Sequence, residues 1–380
     1  MPGRVLIISA AIGEGHDLPA RVLADEIESE APGTWTDVID GLGVMGWPLD
    51  RIAEVGSSFH SKWGNRIFDV EFWFLSVFPP TRWLAGTLMY LVGAGRLLRR
   101  IVAEAPDVVV STYPGTTEMI GRLRRRGRLD VPTVSAITDL AALRFWAQPD
   151  VDLHLVTHPE SVDEVRGIAP ASRVVPVRGL NSADFLVPRD QADARRDLGL
   201  PQEPKLVVVS GGGWAVGDLN GAIDTALAID GTHALVLCGR NEDVRRQLEE
   251  SYRRDERVTV MGFTDRMGDV LAAADALVHS TAGLTVLEAI VRGCPAISYG
   301  WGRAHIRANN EAFVRFGLAD VAADREELAV ALRRALERRP PPDLSFAELP
   351  SAASIVLECV DGRRESANGA RGRQRDRARS

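Results

Sequence analysis

Short continuous apolar runs recur along this chain. Between them lie segments whose apolar residues fall three and four apart. The first series of runs covers residues 4–9, 36–39, 108–111, 132–137, 151–157 and 173–177. A second series covers 205–209, 234–238, 257–261, 276–279 and 296–299. A run that is apolar throughout marks a strand buried on both faces, as in a parallel sheet. The longer period marks a helix packed on that sheet; residues 18–30 show it and stop at Pro32-Gly33. The pattern predicts an α/β chain with two parallel-sheet domains of similar kind. The expected divisions are a first domain at 1–186 and a second at 187–345. Residues 187–199, rich in Asp and Arg, read as a linker plus a short helix. Residues 346–360 read as a last helix returning to the first domain. The Arg-, Ser- and Gly-rich stretch 361–380 reads as a disordered basic tail.

Composition narrows the classes. A length of 380 residues suffices for two domains with full cores. Hydrophobic residues at 45% and charged residues at 26% are ordinary for a soluble globular protein. A net charge of −7 argues against nucleic acid as a partner. Cys238, Cys294 and Cys359 lack metal-ligand spacing and fit a reducing cytoplasm as small core residues. Met1-Pro2-Gly3-Arg4 leads straight into a strand, so no signal peptide is expected. The cleanest apolar piece, 83–95, falls short of the roughly 20 residues that cross a bilayer. It lies in an aromatic-rich stretch with Trp63, Phe68, Phe72, Trp73, Phe74, Phe78 and Trp83, followed by Arg96, Arg99 and Arg100. Arg122, Arg124, Arg125, Arg126 and Arg128 add a basic patch. Such a mixture suits a face that docks on lipid; the alternative is ordinary packing in a helical layer.

Several strand ends carry candidate chemistry. The first strand leads into Gly13-Glu14-Gly15-His16, where the dinucleotide fingerprint would need a glycine in place of Leu18. His16 is either a base near neutral pH or a capping histidine. Asp139, after the strand 132–137, either orients a reacting group or caps a helix. Trp146 either stacks on a sugar or lipid or packs inside. Gly211-Gly212-Gly213 after 205–209 offers exposed N–H groups to a phosphate. Arg240 follows the strand 234–238, and Gly262-Phe263 follows 257–261. Ser280-Thr281-Ala282-Gly283 opens a helical pattern that carries Glu288. A helix start receives anions, and a carboxylate a turn or two later can accept from paired sugar hydroxyls.

These residues resemble the donor half of the GT-B glycosyltransferases, in the group that holds MurG, monogalactosyldiacylglycerol synthases and processive diacylglycerol glycosyltransferases. The resemblance implies two Rossmann-like domains facing across a cleft. It places Ser280, Thr281 and Gly283 at the diphosphate and Glu288 at the ribose. The glycine loop 211–213 and Arg240 would contact phosphate, sugar or base, Gly262 and Phe263 would clasp uracil, and Asn309 or Asn310 matches a family asparagine. His16 matches the family's catalytic histidine, and Thr138-Asp139 with Trp146 matches its Thr-Asp loop and tryptophan. Trp73, Phe74, Trp83 and Trp146 would serve the acceptor or membrane side. After strand 296–299 the family's Gln-Glu pair is missing, and Arg303, Ala304 and His305 stand there instead. The donor hexose is therefore left open.

The expected protein is an inverting, metal-independent hexosyltransferase. It uses a nucleotide sugar, UDP-linked, and no cofactor. Its acceptor is a membrane lipid such as diacylglycerol, and its place is the inner face of the cell membrane, cytoplasmic and peripheral. The alternatives are a UDP-sugar epimerase, a transferase with a soluble acceptor, and a non-catalytic nucleotide-sugar-binding relative.

Overall fold

The structure, a computed structural model, describes residues 3–10, 14–50, 79–141, 143–178, 183–281, 283–300, 305–343 and 345–377. The chain divides into two compact units. One comprises Met1–Leu180 with Leu349–Ser380, the other Asn181–Glu348.

The first unit is built on a six-stranded parallel sheet. Its strands are β1 (Arg4–Ser9), β2 (Trp35–Asp40), β3 (Val108–Ser111), β4 (Thr133–Ile137), β5 (Leu153–Val156) and β6 (Arg173–Pro176), in the order β2-β1-β3-β4-β5-β6. Successive side chains of a strand point to opposite faces, so a strand apolar throughout feeds two cores. Val5 and Ile7 pack with Leu23 and Ile27 of helix Glu14–Glu30 and with Ala352, Ile355 and Val356 of the last helix. Leu6 and Ile8 pack on the other face with Tyr90, Ala94, Leu97 and Ile101 of helix Pro79–Glu104. Those four residues recur at three and four, which gives that helix one buried stripe.

The second unit repeats the plan with β7 (Lys205–Ser210), β8 (Thr232–Leu237), β9 (Val258–Met261), β10 (Ala276–His279), β11 (Ala296–Tyr299) and β12 (Asp320–Ala322). Its order is β12-β11-β10-β7-β8-β9. One face of this sheet packs on helices Leu219–Leu227 and Arg325–Glu337 through Ile223, Ala226, Leu328 and Leu332.

In both sheets the winding reverses beside the first strand. The gap lies between β1 and β3 in one and between β7 and β10 in the other. At such a reversal the adjoining crossovers leave in opposite directions, and a crevice opens at the carboxyl ends of the strands. All paired strands are parallel, so each unit has one such crevice.

One expectation is corrected, one is made specific, and two elements were not foreseen. Residues 187–199, read as a linker plus a short helix, hold helix Gln191–Asp197. Arg292 donates to the carbonyls of Val187 and Asp184, and Arg189 pairs with Asp269 and Asp197, which fixes this segment to the second unit. The tail expected to lack structure from 361 instead continues helix Ala352–Arg377. Arg363 donates to the Asp130 carbonyl and Arg364 pairs with Asp107, which holds its first turns on the first unit. Strand β12 and helix Arg325–Glu337 were not foreseen; β12 has only three residues and a charged start, so it carries little pattern.

Ile355 is buried in the core that also holds β1. Ile355→Ala should destabilise the first unit by about 2–5 kcal/mol, read as a lower urea midpoint for its transition, with the second unit's transition unmoved.

Candidate functional site

In the second unit the loops after β7, β8 and β10 meet. Strand β7 ends at Ser210, whose hydroxyl accepts the Gly212 N–H at 3.2 Å. Gly212 has φ +69°, and a Cβ there would lie 3.0 Å from Thr281 Oγ1. A Cβ on Gly217 would lie 2.5 Å from Ser280 Oγ. The glycines therefore let the two loops touch. Ala215, with φ 56°, turns the chain in the left-handed region that side chains disfavour. The carbonyl of Gly213 accepts the Arg240 N–H at 2.8 Å, which ties in the loop after β8. The Arg240 guanidinium sits 4.0 Å over the Phe263 ring. Phe263 is 47% exposed, so a flat aromatic surface stands beside the glycine loop.

The loop after β10 leads into helix Leu284–Val291. Gly283 is its N-cap and offers no side-chain hydrogen bond. A Cβ on Gly283 would meet nothing within 4 Å. Unpaired N–H groups at a helix start favour an anion. Within the same helix Glu288 is buried, and burial pushes its carboxyl up to about 7. A buried acid of this kind gains from hydroxyl donors that bring hydrogen bonds to it.

Asn309 is buried in helix His305–Phe316. Asn310 accepts from the Ser298 hydroxyl at 2.6 Å and so ties that helix to β11. Residues 301–304, where the Gln-Glu pair was missed, lie outside the described residues.

The first unit gathers the other candidates at its own crevice. His16 stands in the first turn of helix Glu14–Glu30. Its Nδ1 is 3.1 Å from the Thr112 carbonyl, and the Thr112 hydroxyl donates to the His16 carbonyl at 3.0 Å. A carbonyl only accepts, so Nδ1 carries the hydrogen and Nε2 is the basic nitrogen of the neutral ring. Behind Thr112, the hydroxyls of Ser111, Thr116 and Thr117 cluster at the Tyr113 carbonyl and bond to one another, which stiffens this turn. The Tyr113 ring meets the imidazole edge-on, with centroids 5.2 Å apart.

Asp139 accepts the Trp146 indole N–H at 2.8 Å, and the Trp146 ring lies 5.7 Å from the His16 ring. The carboxylate thus braces the wall on which His16 rests. Trp146 was expected on the acceptor or membrane side. It is instead fully buried among Ile137, Leu143, Val156 and Val165, because a bulky ring with a paired N–H is best kept from water.

Trp73 and Phe74 lie outside the described residues. Trp83 is 66% exposed on helix Pro79–Glu104, and Leu84, Leu88 and Leu91 are exposed with it. The arginines expected to form a basic patch are largely engaged. Arg122 pairs with Glu118, Arg124 with Asp152, and Arg125 with Asp150. Arg126 and Arg128 both contact Tyr90. Arg96 donates to the Met45 carbonyl, and Arg100 pairs with Asp37 and Glu104. Among the described residues no helix is long and apolar enough to cross a membrane, and no three His, Cys, Asp or Glu form a metal-holding group.

The comparisons with known proteins agree with this geometry. The family model for monogalactosyldiacylglycerol (MGDG) synthase matches residues 67–177, and that for glycosyl transferases group 1 matches 215–338. A processive diacylglycerol beta-glucosyltransferase of Staphylococcus saprophyticus is 23% identical over 69% of this chain and 67% of its own. One from Staphylococcus aureus is 22% identical over 54% of this chain and 53% of its own. The chain thus spans about half to two thirds of the length of these curated relatives. Among solved structures, Medicago truncatula UGT71G1 complexed with UDP-glucose superposes with a TM-score of 0.61 at 13% identity, over 95% of this chain and 98% of that one. Acinetobacter baumannii MurG gives 0.54 at 16%, over 95% of this chain and 100% of its own.

Two parallel-sheet units of this order define the GT-B fold, and the chain is a glycosyltransferase of that class. Within the class its matches are to the MurG, MGDG synthase and processive diacylglycerol glycosyltransferase group.

The Glu288 carboxyl is raised, so the folded protein holds more protons than the unfolded chain between about pH 4.5 and 7. Stability therefore falls as pH rises through that window. Glu288→Gln removes the buried charge. At pH 8 the variant should melt about 5–15 °C above the parent, and at pH 5 the two should coincide in a thermal-shift assay.

Proposed function

We propose that this protein transfers a hexosyl group, with inversion and without a metal or cofactor, from a UDP-sugar to a membrane lipid of the diacylglycerol class. One observation carries this: the loops after β7, β8, β9 and β10, with the helix that follows β10, bring backbone N–H groups, a helix start, a buried carboxyl and an exposed aromatic ring to the same end of the sheet. That set matches the parts of a nucleoside diphosphate. The Phe263 ring takes the base, Glu288 the ribose, and the 211–213 loop with the start of helix Leu284–Val291 the diphosphate.

In the reaction, His16 Nε2 accepts the proton of the acceptor hydroxyl as its oxygen bonds to the anomeric carbon. The bond from that carbon to the diphosphate breaks, and UDP leaves carrying the electron pair. Fixed dipoles and Arg240 stabilise the developing charge without having to reorganise. The Thr112 carbonyl keeps the ring in the required tautomer, and Trp146 braced by Asp139 keeps it in place.

The diacylglycerol acceptor is supported by the MGDG synthase match and by the names of the Staphylococcus relatives. Binding to the membrane surface is supported by helix Pro79–Glu104, where Leu91 is 72% exposed in line with Leu84 and Leu88. Their spacing puts them on one side of the helix. We place the protein peripherally on the cytoplasmic face of the cell membrane.

UDP release should appear with one UDP-hexose of a panel and should depend on diacylglycerol-containing vesicles. Release that ignores vesicles, or its absence with every sugar, would sink the lipid-transferase assignment. His16→Ala should lower turnover by about 10²–10⁴-fold and leave UDP affinity unchanged; parallel loss of both would remove His16 as the base. Leu88→Glu combined with Leu91→Glu should abolish co-sedimentation with vesicles while UDP still binds.

A further inference from the structure

His279 is the last residue of β10, and it is only 1% exposed. Its Nδ1 lies 3.0 Å from the backbone nitrogen of Thr281 and 3.2 Å from Thr281 Oγ1. A backbone N–H only donates, so Nδ1 is the lone-pair nitrogen and the ring hydrogen is on Nε2. Burial pulls the ring's pKa down to about 4, so the ring stays neutral and keeps this acceptor near neutral pH. An imidazolium would instead face the Thr281 N–H with a hydrogen of its own.

On the other side of Thr281 stands Gly212, close enough that a Cβ there would press on the threonine hydroxyl. Ser280 is fixed too, since its N–H donates to the Ser210 carbonyl at 3.1 Å. The loop is therefore pinned at two successive residues, once by backbone and once by the imidazole. The Thr281 N–H is already engaged. Its hydroxyl and the first N–H groups of helix Leu284–Val291 are what this loop can offer to a ligand.

We propose that His279 is a positioning residue of the donor site, holding Thr281 where its hydroxyl and the start of helix Leu284–Val291 meet a diphosphate. This rests on the donor site proposed above. Its contribution is specific to the phosphates, and uridine, which has none, is indifferent to it.

The test compares full-length His279→Leu and His279→Asn with the wild type, titrating each with UDP and with uridine by calorimetry. Leu has similar bulk and no acceptor. The Asn side-chain oxygen can take the place of Nδ1. His279→Leu should weaken UDP about tenfold while uridine stays within about twofold, and His279→Asn should recover most of the UDP affinity. Unchanged UDP binding in the Leu variant overturns the proposal. So does an equal loss of UDP and uridine, which is the mark of a generally loosened unit, and so does an Asn variant no better than Leu. Wild-type protein that binds neither compound overturns the donor site itself, and the role of His279 with it.

Discussion

Hydrogen bonds between parallel strands leave the chain no way to return except over a face of the sheet. That constraint shapes everything chemical in this protein. Each sheet starts with an interior strand and winds outward on both sides of it. Beside β1 and beside β7 the crossovers diverge. His16 and Thr112 occupy the first of these places, and the glycine loop with Ser280 and Thr281 occupies the second. Both sites are thus built by strand order before any particular side chain is chosen.

The side chains at these places share one electrostatic habit. Groups that would carry charge in water are buried and stay neutral, or have their proton placed by a backbone group. The His16 tautomer is set by a carbonyl, and that of His279 by an amide. Glu288 is buried deeply enough to titrate near neutrality. A polar group held this way does not reorganise when a ligand arrives, so its interaction with the ligand is not weakened by prior relaxation. The same burial costs stability in the empty protein, as expected where local structure serves a ligand more than the fold.

Much of this was legible in the chain itself. Strands apolar throughout announced parallel sheets, and glycines and small residues just after them announced the close loops. What the pattern did not carry was the identity of each side chain's partner. Nothing near Asp139 says that its carboxylate takes the Trp146 N–H, and nothing around Arg124 and Arg125 reveals Asp152 and Asp150. His279 was passed over because it ends an apolar strand, where a histidine reads as one more buried residue. Residues 187–199 read as a linker plus a short helix; the helix is Gln191–Asp197, and Arg189 ties the segment to the second unit through Asp269. Periodicity reports which way a side chain faces; it does not report what it meets.

The last helix has a consequence for how the protein is made. Ala352, Ile355 and Val356 complete the core that β1 begins, and the whole second unit lies between them in the sequence. A ribosome adding about 5–20 residues per second therefore leaves one face of the first sheet covered only in part, by helix Glu14–Glu30, for on the order of ten seconds. The second unit is continuous and can fold as it emerges. The first, though synthesised earlier, is finished last. Its exposed valines and isoleucines are the surface that a nascent-chain chaperone would meet.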